Sequence, residues 1–257
     1  MRMITSQTEP NSGEIELFGE TQPAQIARMR SRTGTIIETP SFYPFMTATQ
    51  NLEYYRLQRG IAGKECVQEA LELAGLPDTN RKKFKDFSLG MKQRLGLALA
   101  IMNHPDFLLL DEPINGLDPM GIVQFRDILL RLNREKKTTI FISSHILSEL
   151  SNLATHYGFI DNGRMLEQTT AKAIAEHCRE CIEVVVDDTA KAAVALESRL
   201  ACNEFEVLPE NRLRVYAFLN EPARVIQALT EEGVLISAID THSANLEEYF
   251  LSLLKRA

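Results

Sequence analysis

The sequence predicts an α/β fold with a mostly parallel sheet, followed by a small α+β domain. Short apolar segments alternate with helical patterns from about residue 13 to residue 160, and this alternation is typical of βαβ units. Beyond about residue 181 the order becomes strand, helix, two strands, helix and strand. That order is typical of a split β-α-β-β-α-β unit. The change of order indicates two domains of different architecture.

The first part of the chain contains the elements of the α/β domain. Residues 14–19 alternate like an exposed strand after a turn-prone stretch, and residues 35–37 are a second short strand. Two helices follow within residues 47–76, interrupted between Gly60 and Gly63. The next predicted elements are a helix from Ser88 to Met102, a buried strand at 107–112, a helix at 119–135, a strand at 138–143 and a helix from Ile146.

The second part contains the elements of the α+β domain. After a helical stretch at 171–177, we predict a strand at 182–186, a helix at 188–200, a hairpin of 205–207 with 213–216, a helix at 222–232, a strand at 234–239 and an amphipathic terminal helix. We therefore assign residues 1–165 to the core, 166–180 to a connecting helix and 181–257 to an accessory domain.

Composition and charge narrow the class of protein. The 257 residues are 44% hydrophobic and carry a net charge of −7. An acidic balance argues against a general nucleic-acid binder, which needs a basic face. The longest apolar run, residues 95–102, is far shorter than the roughly 20 residues of a membrane span. We therefore expect a cytoplasmic protein that reaches the inner face of the membrane only through a partner.

Two adjacent carboxylates follow the buried strand at 107–112. Asp111 and Glu112 end an apolar run, and Pro113 stops the strand. Ligands of open parallel sheets bind at the carboxyl ends of strands. One acid there suits a magnesium ion, and the other suits a water that must lose a proton. On this motif alone, the acids could equally be the surface end of a strand.

Polar residues in neighbouring segments favour a nucleotide site. Ser88 precedes a predicted helix and Gly90 lies in its first turn, and a helix N-terminus with little side-chain bulk suits an anion. His145 follows the strand after the acids, where its ring could donate to a phosphate. Each residue also has a plainer interpretation, since the serine could be only a helix cap and the histidine only a surface residue.

Together these motifs resemble the ATPase subunits of ATP-binding cassette (ABC) transporters. Four elements match in order and spacing: the signature at 88–94, the Walker B strand at 107–112, the aspartate loop at 116–118 and the switch histidine His145. The resemblance runs from the first residues to about Gly163, and the remainder is similar to the extension of subunits that pair with ABC-2-type permeases. It implies a P-loop NTPase-like core with a helical subdomain at about residues 47–103.

The resemblance also implies roles for individual residues, with ATP and Mg²⁺ as cofactors. Asp111 would hold Mg²⁺, Glu112 would be the general base, and His145 would contact the γ-phosphate. Ser88 and Gly90 would contact ATP held by an opposite subunit, which requires a homodimer or a second ATPase subunit. The full cofactor-binding set implied is Ser88, Gly90, Gln93, Glu38 and Asp118, with Asp118 at the dimer seam.

Two departures from the family pattern narrow the subgroup. Residues 87–91 read Phe-Ser-Leu-Gly-Met in place of the usual Leu-Ser-Gly-Gly-Gln, and Glu38 stands where a lid glutamine is expected. Both variants are similar to bacitracin and lantibiotic resistance exporters. Glu38 is a second candidate magnesium ligand, because its carboxylate offers hard oxygen atoms.

The phosphate loop of the family, G-x-x-x-x-G-K-[ST], does not occur in this sequence. The single Gly-Lys pair, Gly63-Lys64, is followed by Glu65 and lacks the first glycine. We therefore expect an N-terminally truncated core without its first strands. Two lost charge-assisted hydrogen bonds, roughly 3–6 kcal/mol, would weaken ATP binding by about a hundredfold to ten-thousandfold.

The function expected from these observations is an ATPase subunit that drives export of a peptide antibiotic or similar amphipathic substrate through a separate ABC-2-type permease. An alternative is a truncated, catalytically incompetent cassette that binds an intact one. A third class, the non-transport cassettes of translation or DNA maintenance, usually has two cassettes or a long coiled-coil insertion, and this chain has neither pattern.

Overall fold

The computed structural model describes residues 1–37, 41–76, 81–242 and 246–256. Two compact units divide the chain, Met1–Ile146 and Leu147–Ala257. The division falls before the predicted boundary at residue 165, because residues 156–170 form a hairpin that packs within the second unit. In that unit the Phe159 ring lies 5.7 Å from the Phe250 ring, and Tyr249 Oη donates to Glu167 at 2.7 Å. The assignment of residues 1–165 to one functional core stays a prediction.

The first unit alternates helices and strands as the sequence pattern predicts. Its elements are α1 (Pro23–Met29), β1 (Thr33–Ile36), α2 (Ala48–Gln58), α3 (Glu65–Leu73), α4 (Leu89–Ile101), β2 (Phe107–Asp111), α5 (Pro119–Lys136) and β3 (Thr139–Ser143). The three strands form a parallel sheet in the order β1-β2-β3. The predicted α/β class with a parallel sheet is therefore confirmed.

The central strand β2 is the core of the first unit. Leu108, Leu109 and Leu110 have no exposed surface, as expected for a strand covered on both faces. Close packing of α4 on the neighbouring strand requires Gly34, since a Cβ there would lie 2.2 Å from the carbonyl oxygen of Ala100. The register places Asp111 opposite Ser143, so the polar ends of β2 and β3 meet at one edge of the sheet.

The prediction of an exposed strand at residues 14–19 is wrong. Only a two-residue turn forms there, with Leu17 and Glu20 exchanging backbone hydrogen bonds at 2.9 and 3.1 Å. Phe18 and Gly19 both have positive φ, 53° and 81°, which is the backbone of a tight turn. The alternating pattern was therefore real but too short and too close to a glycine to continue as a strand.

The second unit contains a hairpin and an antiparallel sheet. Its elements are α6 (Leu147–Ser151), β4 (His156–Asp161), β5 (Arg164–Thr170), α7 (Ala171–His177), β6 (Cys181–Val186), α8 (Thr189–Leu200), β7 (Phe205–Leu208), β8 (Arg212–Val215), α9 (Pro222–Glu231), β9 (Ile236–His242) and α10 (Leu246–Arg256). The sequence interpretation missed the β4–β5 hairpin, although Asn162-Gly163 is a strong turn signal.

The predicted β-α-β-β-α-β unit is confirmed by β6 to β9 with α8 and α9. The four strands pair antiparallel in the order β7-β8-β6-β9. Alternate residues of β6, including Ile182 and Val184, are buried with Leu196 of α8 and Leu229 of α9 in one apolar cluster.

Among the residues that the structure describes, no helix has the length and hydropathy needed to cross a membrane.

Candidate functional site

The carboxyl edge of the parallel sheet holds a hydrogen-bonded group of polar residues. The Ser143 hydroxyl donates to Asp111 Oδ1 at 2.6 Å and accepts from the backbone N–H of Glu112 at 3.1 Å. One side chain of β3 therefore contacts both acidic residues of the neighbouring strand end. Sheet register causes this arrangement, because Asp111 and Ser143 are the last pair of the β2–β3 ladder.

Glu112 has a left-handed backbone with φ of 48°. A residue with a side chain adopts this conformation at a cost of about 1–3 kcal/mol, and such residues are concentrated at functional sites. The chain turns sharply there, since the Glu112 carbonyl accepts from the N–H of Asn115 at 3.2 Å. Because of this turn, the adjacent side chains of Asp111 and Glu112 make different contacts, the first with Ser143 and the second with His145.

His145 pairs with Glu112 at the surface of this site. Its Nδ1 lies 2.8 Å from Glu112 Oε2, and the side chains are 64% and 35% exposed. The ring N–H donates to the carboxylate oxygen, which leaves Nε2 for another partner. The structure thus brings together three of the predicted residues, Asp111, Glu112 and His145, at a point that a ligand from solvent can reach.

The predicted signature lies at the N-terminus of α4. Ser88 is the N-cap residue, and its Oγ accepts from the N–H of Met91 at 3.3 Å. A Cβ on Gly90 would lie 3.6 Å from Leu117 Cδ2. Among the described residues, neither Ser88 nor Gly90 hydrogen-bonds to the acids at the sheet edge.

The segment after the acids packs on the signature. Gly116 has φ of 75°, and a Cβ there would lie 2.8 Å from Leu89 Cδ2. Asp118 caps α5, its Oδ1 accepting from the N–H of Gly121 at 3.2 Å. The predicted site residues therefore form a second group, which consists of Ser88, Gly90 and Asp118. Leu89, which faces Gly116, and Leu117, which faces Gly90, connect its two segments.

Two predicted ligands differ from the others in their placement. Gln93 lies on the buried side of α4, and its side-chain Oε1 has no hydrogen-bond partner among the described residues. A direct contact of Gln93 with nucleotide stays a prediction. Glu38 lies outside the described residues, so its role in the lid and as a metal ligand also stays a prediction.

The donor atoms around Asp111 suit a hard divalent cation. A carboxylate and a serine hydroxyl offer only oxygen, which Mg²⁺ prefers. Within the described ranges, no three His, Cys, Asp or Glu side chains converge as a metal cage.

Ser143 is the site residue for which the sequence interpretation assigned no role. A signal was present, because Ser143 ends the strand that follows the acids and is polar in an otherwise apolar segment. The sequence could not show that its partners are Asp111 and Glu112, since that depends on the register of two strands separated by α5.

A groove lined with aromatic residues lies beside α2, away from the sheet edge. This aromatic groove, about 540 Å³ in volume, is lined by Phe45, Met46, Thr49, Gln50, Glu53, Tyr54 and Lys83. Buried Asn51 holds its wall: the side chain accepts from Tyr43 N–H at 2.8 Å and donates to the carbonyls of Tyr43 and Thr47 at 3.2 and 3.0 Å. Phe45 is 72% exposed, so most of its apolar ring faces solvent.

Comparison with known proteins agrees with these features. A family model described as ABC transporter matches residues 1–115. The bacitracin transport ATP-binding protein BcrA of Enterococcus faecalis is 41% identical over 99% of this chain and 82% of its own length. The protein of the same name from Bacillus licheniformis is 38% identical over 99% and 83%. The lantibiotic transport ATP-binding protein SrtF of Streptococcus pyogenes is 39% identical over 65% and 70%.

Solved structures support the fold. The ATP-binding cassette MJ0796, solved as a dimer in a post-hydrolysis state with ADP and Pi, aligns with a TM-score of 0.59 at 20% identity, covering 66% of this chain and 78% of that one. The cbiO1 protein of Clostridium perfringens, part of the transporter complex cbiONQ, aligns with a TM-score of 0.61 at 20% identity, covering 78% of each chain.

Proposed function

This chain belongs to the ABC transporter family of ATP-binding proteins and has the ABC ATPase fold, and from that premise we propose that it hydrolyses ATP to drive export of a peptide antibiotic through a separate membrane permease. The observation that carries the proposal is the pairing of Glu112 with His145 beside Asp111 at the carboxyl edge of the sheet.

Hydrolysis of ATP requires a base near a water and a donor near the γ-phosphate. We assign the base to Glu112, whose carboxylate is exposed enough to reach a water and is held by His145. We assign the phosphate contact to His145 Nε2, which donates a hydrogen bond in the imidazolium form, where both ring nitrogens carry a proton. Asp111 is the ligand for Mg²⁺, which, when bound, neutralises phosphate charge.

A dimer completes the site in this proposal. Ser88 and Gly90 lie at a helix N-terminus that suits a phosphate, yet they make no hydrogen bond to Asp111, Glu112 or His145 among the described residues. We assign them to the nucleotide of a second subunit, identical or homologous. Asp118, held in its cap by Gly121, lies at the seam between the subunits.

The substrate class follows from the relatives rather than from the site. Two proteins that match 99% of this chain are named for bacitracin transport, and a shorter match is named for lantibiotic transport. We therefore assign a peptide antibiotic or a similar amphipathic molecule as the exported substrate.

The permease is the partner assigned to the aromatic groove. An exposed Phe45 ring beside Tyr54 and the aliphatic parts of α2 suits the apolar face of a short helix, such as a cytoplasmic segment of an ABC-2-type permease. Binding there would hold this subunit at the inner face of the plasma membrane.

The test of the proposed function is ATP turnover by the chain purified with its permease. Glu112→Gln keeps the size of the side chain and one acceptor oxygen but removes the base, so kcat should fall by about 10²- to 10⁴-fold. The matched control is Glu135→Gln, which alters an exposed carboxylate of α5 that pairs with Arg131 and should leave turnover unchanged. Equal turnover of the Glu112 variant and the parent would refute the assignment.

The second candidate is a catalytically incompetent cassette that pairs with an intact one. One sequence observation favours it: the single Gly-Lys pair, Gly63-Lys64, is followed by Glu65 and lacks the first glycine, so it does not complete the phosphate-loop pattern. Titration of the 257-residue chain with ATP separates the candidates. Micromolar affinity for ATP in the isolated chain would exclude the second candidate.

A further inference from the structure

We propose that Ser143 is a positioning residue for ATP hydrolysis, which orients the Asp111 carboxylate and holds the backbone of Glu112 in its left-handed conformation. The inference rests on the proposed function, since the acids it positions are the residues assigned to Mg²⁺ and to the attacking water. It adds a residue that touches neither water nor nucleotide but determines where two acids lie.

The argument begins with the two hydrogen bonds of one hydroxyl group. Ser143 Oγ donates to Asp111 Oδ1 at 2.6 Å, a short distance typical of a hydroxyl bound to a carboxylate. The same oxygen accepts from Glu112 N–H at 3.1 Å. Because one atom makes both contacts, the Asp111 carboxylate and the Glu112 backbone are both held against the end of β3.

The first contact selects one oxygen of Asp111. With Oδ1 bound to the hydroxyl, rotation of the carboxylate is restricted and Oδ2 is left for another ligand. Groups that hydrogen-bond a metal ligand orient it, and their loss typically lowers metal affinity or activity by about 10- to 100-fold. Ser143 is such a group, because it hydrogen-bonds to Asp111, the residue assigned to Mg²⁺.

The second contact stabilises a strained backbone. Glu112 has φ of 48°, and such a conformation persists only where surrounding groups hold it. Its N–H points to Ser143, and its side chain reaches His145 at 2.8 Å. Loss of the hydroxyl would leave the N–H without this acceptor and would allow the turn to relax, which moves the carboxylate away from the histidine.

The neighbouring serine makes a different contact. Ser144 Oγ accepts from the N–H of Ile146 at 3.0 Å, a local turn of the kind that many serines form after a strand. Among the described residues, Ser144 hydrogen-bonds to neither acid. Replacing Ser144 therefore tests whether loss of any hydroxyl in this segment has the effect expected for loss of Ser143. Ser144→Ala is therefore the matched control.

The first measurement is amide hydrogen exchange at Glu112, resolved by NMR in the 257-residue chain without nucleotide. Ser143→Ala should speed exchange of this amide by about threefold to tenfold, the effect of one net hydrogen bond. Ser143→Thr retains the hydroxyl on a residue that suits a strand and should keep exchange within about threefold of the parent. Ser144→Ala should leave Glu112 exchange unchanged.

The second measurement is ATP turnover in the assembly with the permease. Ser143→Ala should lower kcat by about 10- to 100-fold and raise the Mg²⁺ concentration at half-maximal rate, with KM for ATP nearly unchanged. Ser143→Thr should restore most of the rate. A merely structural serine would change none of these quantities while the protein stays folded.

The outcomes separate this inference from the proposed function. If exchange of the Glu112 amide is the same in Ser143→Ala and Ser144→Ala, the inference is overturned whatever the turnover. Faster exchange with an unchanged kcat also overturns it. If the parent assembly hydrolyses no ATP, the proposed function fails, and the exchange result still decides whether Ser143 holds Glu112.

Discussion

Glu112 is held in a left-handed backbone conformation, with φ of 48°, directly after a strand whose leucines are fully buried. The strand cannot shift to relieve the strain, because parallel partners on both sides fix its register. The hydrogen bonds to Ser143 and His145 then determine where the carboxylate lies. The rigid strand therefore keeps the strained backbone of Glu112 in place.

The contact between Leu89 and Gly116 is a second feature of individual residues, and it involves a departure from the usual family signature. Leu89 stands in the signature where the family usually has glycine, and its Cδ2 occupies the space that a Cβ on Gly116 would approach at 2.8 Å. The bulkier signature residue is accommodated because the facing residue has no side chain. Leu89 thereby connects the signature to the loop that leads to Asp118.

Gly116→Ala should lower the free energy of unfolding by more than the cost of placing a side chain at a positive φ. The φ of 75° costs a side chain about 1–2 kcal/mol, and the clash with Leu89 adds to it. The control is Gly60→Ala, since Gly60 also has positive φ but has no atom within 4 Å of a built Cβ. The measurement is urea unfolding followed by circular dichroism.

The double variant Leu89→Ala with Gly116→Ala tests the contact itself. Gly116→Ala should lose more free energy of unfolding than Gly60→Ala. Removing the Leu89 side chain should recover that excess, because it removes the clash. If Gly116→Ala and Gly60→Ala lose equal stability, steric contact between the two segments is not the cause.

At the scale of elements, α2 combines a well-formed start with an exposed aromatic neighbourhood. Thr47 and Gln50 form a reciprocal capping box, and Asn51 binds the preceding segment through Tyr43. Near the end of the helix, Arg56 donates to Glu53 at 2.7 Å and lowers the pKa of that carboxyl. The helix is thus capped at its start and has an ion pair near its end that holds Glu53, one of the residues lining the aromatic groove.

Phe45→Ala should weaken recovery of the permease with this subunit by about tenfold or more, as expected for a central aromatic anchor. The control is Leu57→Ala, because Leu57 is 64% exposed, similar to Phe45 at 72%, and does not line the aromatic groove. Recovery is measured by affinity purification from membranes solubilised in detergent. Equal losses for the two variants would show that the groove is not the docking surface.

At the scale of the whole molecule, the chain consists of two units with separate cores. The first is centred on the leucines of β2. The second has an apolar cluster of its own formed by β6, β8, α8 and α9. Each unit therefore has the buried surface that an independent cooperative transition requires.

Leu229→Ala should destabilise the second unit by about 2–5 kcal/mol, the usual loss for a buried leucine. Amide exchange should accelerate in β6 and β8, while α4 and β2 of the first unit keep their protection. Ile226→Ala is the control, because Ile226 lies on the same helix with an exposed side chain. Equal acceleration in both units would indicate a single cooperative transition instead.

Local patterns were sufficient to predict most helices and the acids. The leucine run before Asp111 required a buried strand, and Ser88 caps α4 as predicted. The helices predicted from 119 and 188 begin at Pro119 and Thr189, capped by Asp118 and Asp188. The order of elements after Cys181 likewise follows from short patterns of period two and 3.6. The differences from the prediction have local causes: Gly19, with φ of 81°, ends the alternating pattern in a turn, and Asn162-Gly163 forms the turn of the β4–β5 hairpin.

The amino-acid sequence by itself determined which residues could carry the chemistry, because the acids, the histidine and the caps are properties of short segments. Only the tertiary structure decided that Ser143 joins Asp111 to Glu112, that Leu89 faces Gly116, and that residues 156–170 pack in the second unit. The physical reason is that these contacts depend on strand register and on close packing between residues distant in sequence, which local propensity does not specify.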